Sequence, residues 1–271
     1  MFVSSEELPG VRMVFTGRGP GIGQAPYNGL NLGGHVGDDP QAVRANRAAL
    51  AAELGVVPER LAFMDQVHGD TVVQVDDDWP GASPGVPGPA CDALVTTRWD
   101  VALAVLVADC VPVLLAAPED GVAGVAHAGR KGMAAGVVLR LVEAMRDLGA
   151  GSIVARVGPS VCPRCYQVPL DLREQVADAW PVTRSVSWRG KPSLDVAAGV
   201  LEQLAPHCED VEQLPGCTVE RADLYSYRRD GVTGRFAGVV RLRPDDVVRL
   251  RPDDVVRLRP DDGVPPRPDA E

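Results

Sequence analysis

Three short runs, Ala102–Val107 (ALAVLV), Val111–Ala116 (VPVLLA) and Val122–Ala126 (VAGVA), carry no polar side chain and follow one another with little between them. A strand with one wet face alternates polar and apolar residues, whereas an unbroken apolar run belongs to a strand covered on both faces. The chain therefore has to build an inner layer of strands, and its remaining elements must supply the cover. Further candidate strands are Val11–Thr16, Thr71–Val75, Ala93–Thr97, Ile153–Val157 and Arg235–Val240. The clearest helix is Pro40–Leu54, with Asp39 as N-cap, Pro40 in the first turn and Gly55 as the stop. A second is expected from about Met133 to Leu148, closed by Gly149, with others at Leu170–Ala179 and Val196–Leu204. This mixture predicts an α+β fold in one domain over residues 1–243.

Two stretches depart from that pattern. Asp76 to Ala90 (DDDWPGASPGVPGPA) reads as a loop. Near the end, Arg-Leu-Arg-Pro-Asp-Asp-Val-Val starts at Arg241, again at Arg249 and in part at Arg257, with Pro244, Pro252 and Pro260 in register. Recurrent proline interrupts any helix, and paired Asp and Arg favour solvent, so residues 244–271 are expected to form a low-complexity, disordered tail.

A formal charge of −10 with 4 % aromatic residues leaves neither a basic face nor stacking platforms, which argues against a nucleic-acid partner. No apolar run approaches the roughly 20 residues that cross a bilayer, and Met1–Arg12 has no basic stretch leading into an apolar one. A cytoplasmic protein is expected, with Cys91, Cys110, Cys162, Cys165, Cys208 and Cys217 as reduced thiols.

Chemistry concentrates where apolar runs stop abruptly: at Asp65-Gln-Val-His68-Gly69-Asp70, at Ala108-Asp109-Cys110-Val-Pro112 and at Ala126-His127-Ala-Gly129-Arg130-Lys131-Gly132. The separations are too wide for one helix or a finger-like loop, so a shared site would have to be assembled by the fold. His68, Cys110 and His127 offer two imidazoles and a thiolate, a good set for zinc, and three protein ligands leave a fourth position open. The bland alternative is a buried small thiol and two satisfied histidines. Arg130 and Lys131, between Gly129 and Gly132 at a helix start, can hold phosphate or form an ordinary solvated turn. The P-loop pattern is absent. Cys162-Pro-Arg-Cys165 lacks a partner pair and reads as ordinary thiols in a turn, and Gly17–Gly23 as a flexible loop. Asp223-Leu-Tyr-Ser-Tyr-Arg-Arg229 is either an anion-binding segment or an exposed edge.

These segments also form an ordered set: Phe15-Thr-Gly-Arg18, Leu30-Asn-Leu-Gly33 with His35-Val-Gly-Asp38, Gln66-Val-His-Gly69, Ala108-Asp-Cys-Val-Pro-Val113, His127-Ala-Gly129, Gly158-Pro-Ser160, Cys165-Tyr166 and Tyr225-Ser-Tyr-Arg-Arg229. Over residues 11–241 the chain resembles the YfiH-type family, long labelled polyphenol oxidoreductases or laccases and now regarded as zinc-dependent purine nucleoside phosphorylases. The resemblance implies a layered α/β/β/α domain with mixed central sheets. It implies phosphorolysis of adenosine, inosine and methylthioadenosine to free base and ribose 1-phosphate, with adenosine deamination alongside. By motif, His68, Cys110 and His127 correspond to the metal ligands, with zinc as the metal and copper as an alternative. Arg228 and Arg229 match a segment expected to hold substrate or phosphate, and His35 falls in a matching motif near the same site. Two departures stand out: Arg130-Lys131 where the family often has Trp-Arg, and Gly199 where it often has Asn.

The histidine count tests the laccase label. Of four histidines, only His35 and His207 remain once His68 and His127 are used, too few for a multinuclear copper cluster. A multicopper oxidase is therefore excluded, although copper held by the same three residues would still allow weak polyphenol oxidation. Phosphorolysis fits better, with phosphate near Arg130 and Lys131 and Asp109 as a proton shuttle in deamination. The competing enzyme reading makes Cys110 the nucleophile of a Cys–His hydrolase acting on cell-wall precursor amides. A third reading is a structural zinc domain whose tail recruits a partner.

Overall fold

The computed structural model describes residues 1–79 and 88–243. The expected tail lies outside the described residues, as does the centre of the Asp76–Ala90 loop. In chain order the elements begin with β1 (Phe2–Leu8), β2 (Val11–Thr16), α1 (Pro40–Leu54), β3 (Leu61–Ala62), β4 (Val72–Gln74), β5 (Ala93–Thr96) and β6 (Ala102–Val107). Next come β7 (Val111–Ala117), β8 (Val122–Ala128), α2 (Arg130–Ala135), α3 (Val137–Asp147), β9 (Val154–Val157) and α4 (Leu170–Ala179). The last are β10 (Arg184–Val186), β11 (Pro192–Leu194), α5 (Val196–Leu204), β12 (Asp210–Gln213), α6 (Tyr227–Asp230) and β13 (Phe236–Leu242).

Two mixed sheets carry the fold. One has the order β1-β2-β13-β6-β3 and the other β12-β9-β7-β8-β5-β4, with β10 and β11 as a separate hairpin. Strand alternation explains why the central runs contain no polar residue. In β6, Ala102, Ala104 and Leu106 face Leu50 and Leu54 of α1, while Leu103, Val105 and Val107 face the second sheet. In β7, Leu114 and Ala116 meet that inter-sheet layer, whereas Val113 and Leu115 meet Leu141 and Met145 of α3 and Val200 of α5. The layers thus run α1, five-stranded sheet, six-stranded sheet, then α3, α4 and α5, the α/β/β/α arrangement that the family resemblance implied. Phe15 lies between the sheets against two glycines. A Cβ on Gly158 would come within 2.3 Å of its ring and one on Gly238 within 3.0 Å.

The expected strands recur with small shifts, and α1, α4 and α5 have the expected bounds. The helix placed at Met133–Leu148 differs. It starts at Arg130 as α2, and Gly136, at φ +86°, interrupts it before α3. That left-handed residue ends one helix and redirects the chain into the next. Strands β1, β3, β12 and the β10–β11 hairpin lie outside the expected set. The first three sit at sheet edges and the last two form a sheet of their own, where pairing rather than apolar pattern defines the strand.

Candidate metal centre

The strand ends that carry chemistry gather at one end of the two sheets. β6 stops at Val107 opposite Phe236, and the chain then crosses to the other sheet through Ala108-Asp109-Cys110 before β7 starts opposite Ala128. The end of β8 also pairs with the start of β5, Ala126 facing Ala93. One donor atom each from His68, Cys110 and His127 consequently lies within 4.8 Å of the other two. Cys110 Sγ is 3.9 Å from His68 Nε2, and the two imidazole rings meet edge to face with centroids 4.7 Å apart. His127 is buried, Cys110 is partly buried and His68 is exposed, so the group opens to solvent on the His68 side.

A residue that the sequence reading passed over holds this group in place. Asp92, fully buried, accepts from His127 Nδ1 at 2.8 Å and from the His68 backbone N–H at 2.9 Å through Oδ1, and from the Gly69 N–H at 2.6 Å through Oδ2. Its carboxylate leaves His127 Nε2 for the centre and fixes the turn on which His68 stands. That turn places His68 at φ +63°, a left-handed conformation that costs a non-glycine residue roughly 1–2 kcal/mol and is sustained by such contacts. Gln66 anchors the same loop to β6: its amide donates to Leu106 O at 2.7 Å and accepts from Leu106 N at 2.9 Å. The signal for Asp92 was a lone charge directly before the apolar run of β5, within Cys91-Asp92-Ala93.

Electrostatics polarise the group. Burial alone would push the Cys110 thiol up, but the charge of His127 and hydrogen bonds from both imidazoles bring it down. Burial likewise opposes charging His127, and Cys110 with Asp92 outweighs it and raises the imidazole. The other isolated thiols behave differently: burial pushes Cys91 up to about 12 and Cys208 up to about 11. All six cysteines are free thiols. Gly129 shows how tightly the centre is packed, since a Cβ there would lie 2.9 Å from His68 Cδ2 and 3.1 Å from Cys110 Sγ.

The remaining candidates divide between bracing and rim. Asp109, at φ +97°, accepts from Thr218 Oγ1, Ser226 Oγ and the Arg228 N–H, each at 2.6 Å, tying the inter-sheet crossing to α6. Arg229 turns inward, donating to Thr218 O at 2.8 Å, Arg221 O at 2.9 Å, Leu224 O at 2.9 Å and both Asp230 oxygens. Arg228 points outward, 5.0 Å over the Tyr166 ring, into a cleft of about 710 Å³ that Arg164, Trp188 and Arg189 also line. Arg130 is partly buried and Lys131 exposed on α2. His35 is exposed on a loop braced by Asn31, which binds Gly33 and Asp38, and by Tyr27, whose hydroxyl donates to Val36 O at 2.5 Å. Desolvation and the charge of Arg235 lower the His35 pKa, and the charge of His127 adds to the effect. Gly199, at the departure from the family pattern, brings α5 close to α2: a Cβ there would meet Met133 Sδ at 2.7 Å, so an Asn requires Met133 to move.

His207 lies at the far end of the six-stranded sheet, where Glu209 bonds to Ile153 O ahead of β9, and cannot add a ligand to the centre. Comparison with known proteins agrees with this architecture. Residues 12–243 match the family described as multi-copper polyphenol oxidoreductase laccase. The chain is 51 % identical over 247 residues to the purine nucleoside phosphorylase SCO2081 of Streptomyces coelicolor, spanning 89 % of this chain and 100 % of that one. It is 44 % identical over 235 residues to a purine nucleoside phosphorylase of Corynebacterium glutamicum, spanning 86 % of this chain and 94 % of its relative. The solved structure of YlmD from Geobacillus stearothermophilus matches with a TM-score of 0.77 at 32 % identity, covering 87 % of this chain and 93 % of that one. Motif order, layered fold and sequence identity together make the chain a member of the YfiH-type family, the multi-copper polyphenol oxidoreductase laccase group.

Proposed function

We propose that the protein is a zinc-dependent purine nucleoside phosphorylase, a reading carried by the convergence of His68, Cys110 and His127 in front of the buried Asp92 carboxylate. Relatives of nearly the same length bear that name. Two imidazole nitrogens and one sulfur suit zinc, and Asp92 behind His127 is the kind of carboxylate that orients a metal-binding histidine. Bound by these three residues, zinc would supply a Lewis acid with its fourth position open to the substrate.

The chain's own groups account for the rest. Arg228, Arg130 and Lys131 hold inorganic phosphate at the rim, and His35 contacts the nucleoside from its braced loop. A phosphate oxygen attacks the anomeric carbon, the carbon–nitrogen bond to the purine breaks, and the base leaves with the electron pair and takes up a proton. Asp109 acts as a positioning residue in this reading, because its carboxylate already accepts three hydrogen bonds. Arg229 braces the loop that presents Arg228.

The test is incubation of the purified protein with adenosine or inosine, with and without phosphate, and chromatographic identification of products. Free base together with ribose 1-phosphate, formed only when phosphate is present, is the expected result. Base release independent of phosphate, or inosine as the sole product from adenosine, overturns the assignment.

A further inference from the structure

The Cys162-Pro-Arg-Cys165 segment, which alone reads as an ordinary turn, faces a second turn of the same build. In the first, the N–H groups of Cys165 and Tyr166 both donate to Cys162 O, each at 3.0 Å. In Cys217-Thr-Val-Glu220, the N–H groups of Glu220 and Arg221 donate to Cys217 O at 3.1 and 2.9 Å. Backbone pairing locks the turns together: Ser160 and Cys217 form a parallel bridge, and the Thr218 N–H donates to Ser160 O at 3.1 Å. The Cys162 N–H donates to Cys217 Sγ at 3.4 Å, and Cys165 Sγ lies 3.5 Å from Glu220 Oε1. Three sulfurs and one carboxylate oxygen thus lie within 4.8 Å of one another. Tetrahedral zinc, with Zn–S of about 2.3 Å and Zn–O of about 2.0–2.2 Å, separates its ligand atoms by roughly 3.5–3.8 Å.

We propose that Cys162, Cys165, Cys217 and Glu220 form a second, closed metal site for a thiophilic divalent cation, zinc. A disulfide would use two of the sulfurs and leave the third sulfur and the Glu220 carboxylate unused. A divalent cation uses all four donors. Four protein ligands leave no open position, which marks a structural rather than a catalytic site. Its place in the fold gives the consequence. It clamps the segment bearing Tyr166 to the segment bearing Arg228, whose guanidinium covers the Tyr166 ring. Thr218, next to Cys217, donates to Asp109, which adjoins Cys110. The second metal therefore fixes one wall of the first centre without belonging to it.

Metal content of the full-length protein, measured by mass spectrometry after removal of loosely bound ions, tests the proposal independently of any activity. The wild type is expected to hold two zinc ions per chain. The His68→Ala/Cys110→Ser double variant should retain one, and Cys165→Ser should lose that one in the same background. The Glu220→Gln variant alters an exposed side chain and leaves the cysteines in place, so it covers the event that Cys165→Ser does not fold. It should release its second zinc to a chelator at about tenfold lower chelator concentration, or lower still. Cobalt substituted into the double variant should show intense sulfur-to-cobalt charge-transfer absorption. A His68→Ala/Cys110→Ser protein without zinc or cobalt overturns the proposal. So does a metal content unaffected by Cys165→Ser and Glu220→Gln, or a peptide map showing a disulfide among the three cysteines.

Discussion

Asp92 and His127 are joined twice: side chain to side chain, Oδ1 to Nδ1 at 2.8 Å, and backbone to backbone, His127 N–H to Asp92 O at 2.8 Å. The second bond belongs to the pairing of β5 with β8, so the sheet itself sets the distance at which the first can form. Replacing the carboxylate by the isosteric amide in Asp92→Asn keeps the shape and removes the charge. Zinc affinity, measured by competition with a chromophoric chelator, should fall about 10–100-fold. In Asp92→Ala three N–H donors lose their acceptor, and calorimetric unfolding should show a loss of about 3 kcal/mol or more.

Two closely packed glycines, Gly129 and Gly158, should fail in different ways. Gly129→Ala pushes a methyl group against His68 and Cys110, so the zinc of this centre and phosphorolysis should be lost, while the variant should melt close to wild type stripped of metal. Gly158→Ala drives its methyl into the buried Phe15 ring and should cost about 1–3 kcal/mol in urea unfolding.

Adjacent arginines should separate binding from stability. Arg228→Ala should raise the KM for phosphate severalfold and leave thermal unfolding unchanged. Arg229→Ala strips hydrogen bonds from four backbone carbonyls, those of Thr218, Val219, Arg221 and Leu224, and a loss of about 2–3 kcal/mol is expected. Phosphate titrations combined with thermal melts of both variants check this.

Chelation should abolish base release and zinc should restore it. Full turnover by metal-free protein, blocked by alkylation of Cys110, would instead favour the Cys–His hydrolase.

Acid sensitivity should trace in part to Asp100. Two hydrogen bonds from Arg98, at 2.9 and 2.7 Å, hold its carboxyl below the usual range against a smaller opposing effect of desolvation. A carboxyl depressed in the folded state stabilises above its unfolded pKa near 3.9 and loses that contribution as pH falls through the folded value. Asp100→Asn should therefore be less stable than wild type by about 0.5–1 kcal/mol at neutral pH. The two unfolding curves should converge below about pH 4.

How much of this was legible in the sequence depended on the range of the interaction. The central strands β6, β7 and β8 announced themselves because burial on both faces leaves no polar residue to find. Asp39 and Gly55 bounded α1 through local capping, and both caps are observed. By contrast β12, Asp-Val-Glu-Gln, has no apolar pattern and is a strand only because it lies alongside β9. The same holds at the site. His68, Cys110 and His127 stood out as abrupt endings of apolar runs, and folding brings them together. Asp92 acquires its role from a register across two strands, and Cys217 with Glu220 from a bridge to Ser160. No local window contains either relationship.

The crossing from β6 to β7 has a mechanical corollary. Its residues are the seam by which one sheet is sewn to the other, so the thiol cannot shift independently of the slabs on either side. Slippage between those slabs, even when caused by a substitution far away beneath α1, should misalign Cys110 against both histidines. Heat inactivation should accordingly coincide with global melting and should not precede it through fraying of surface loops.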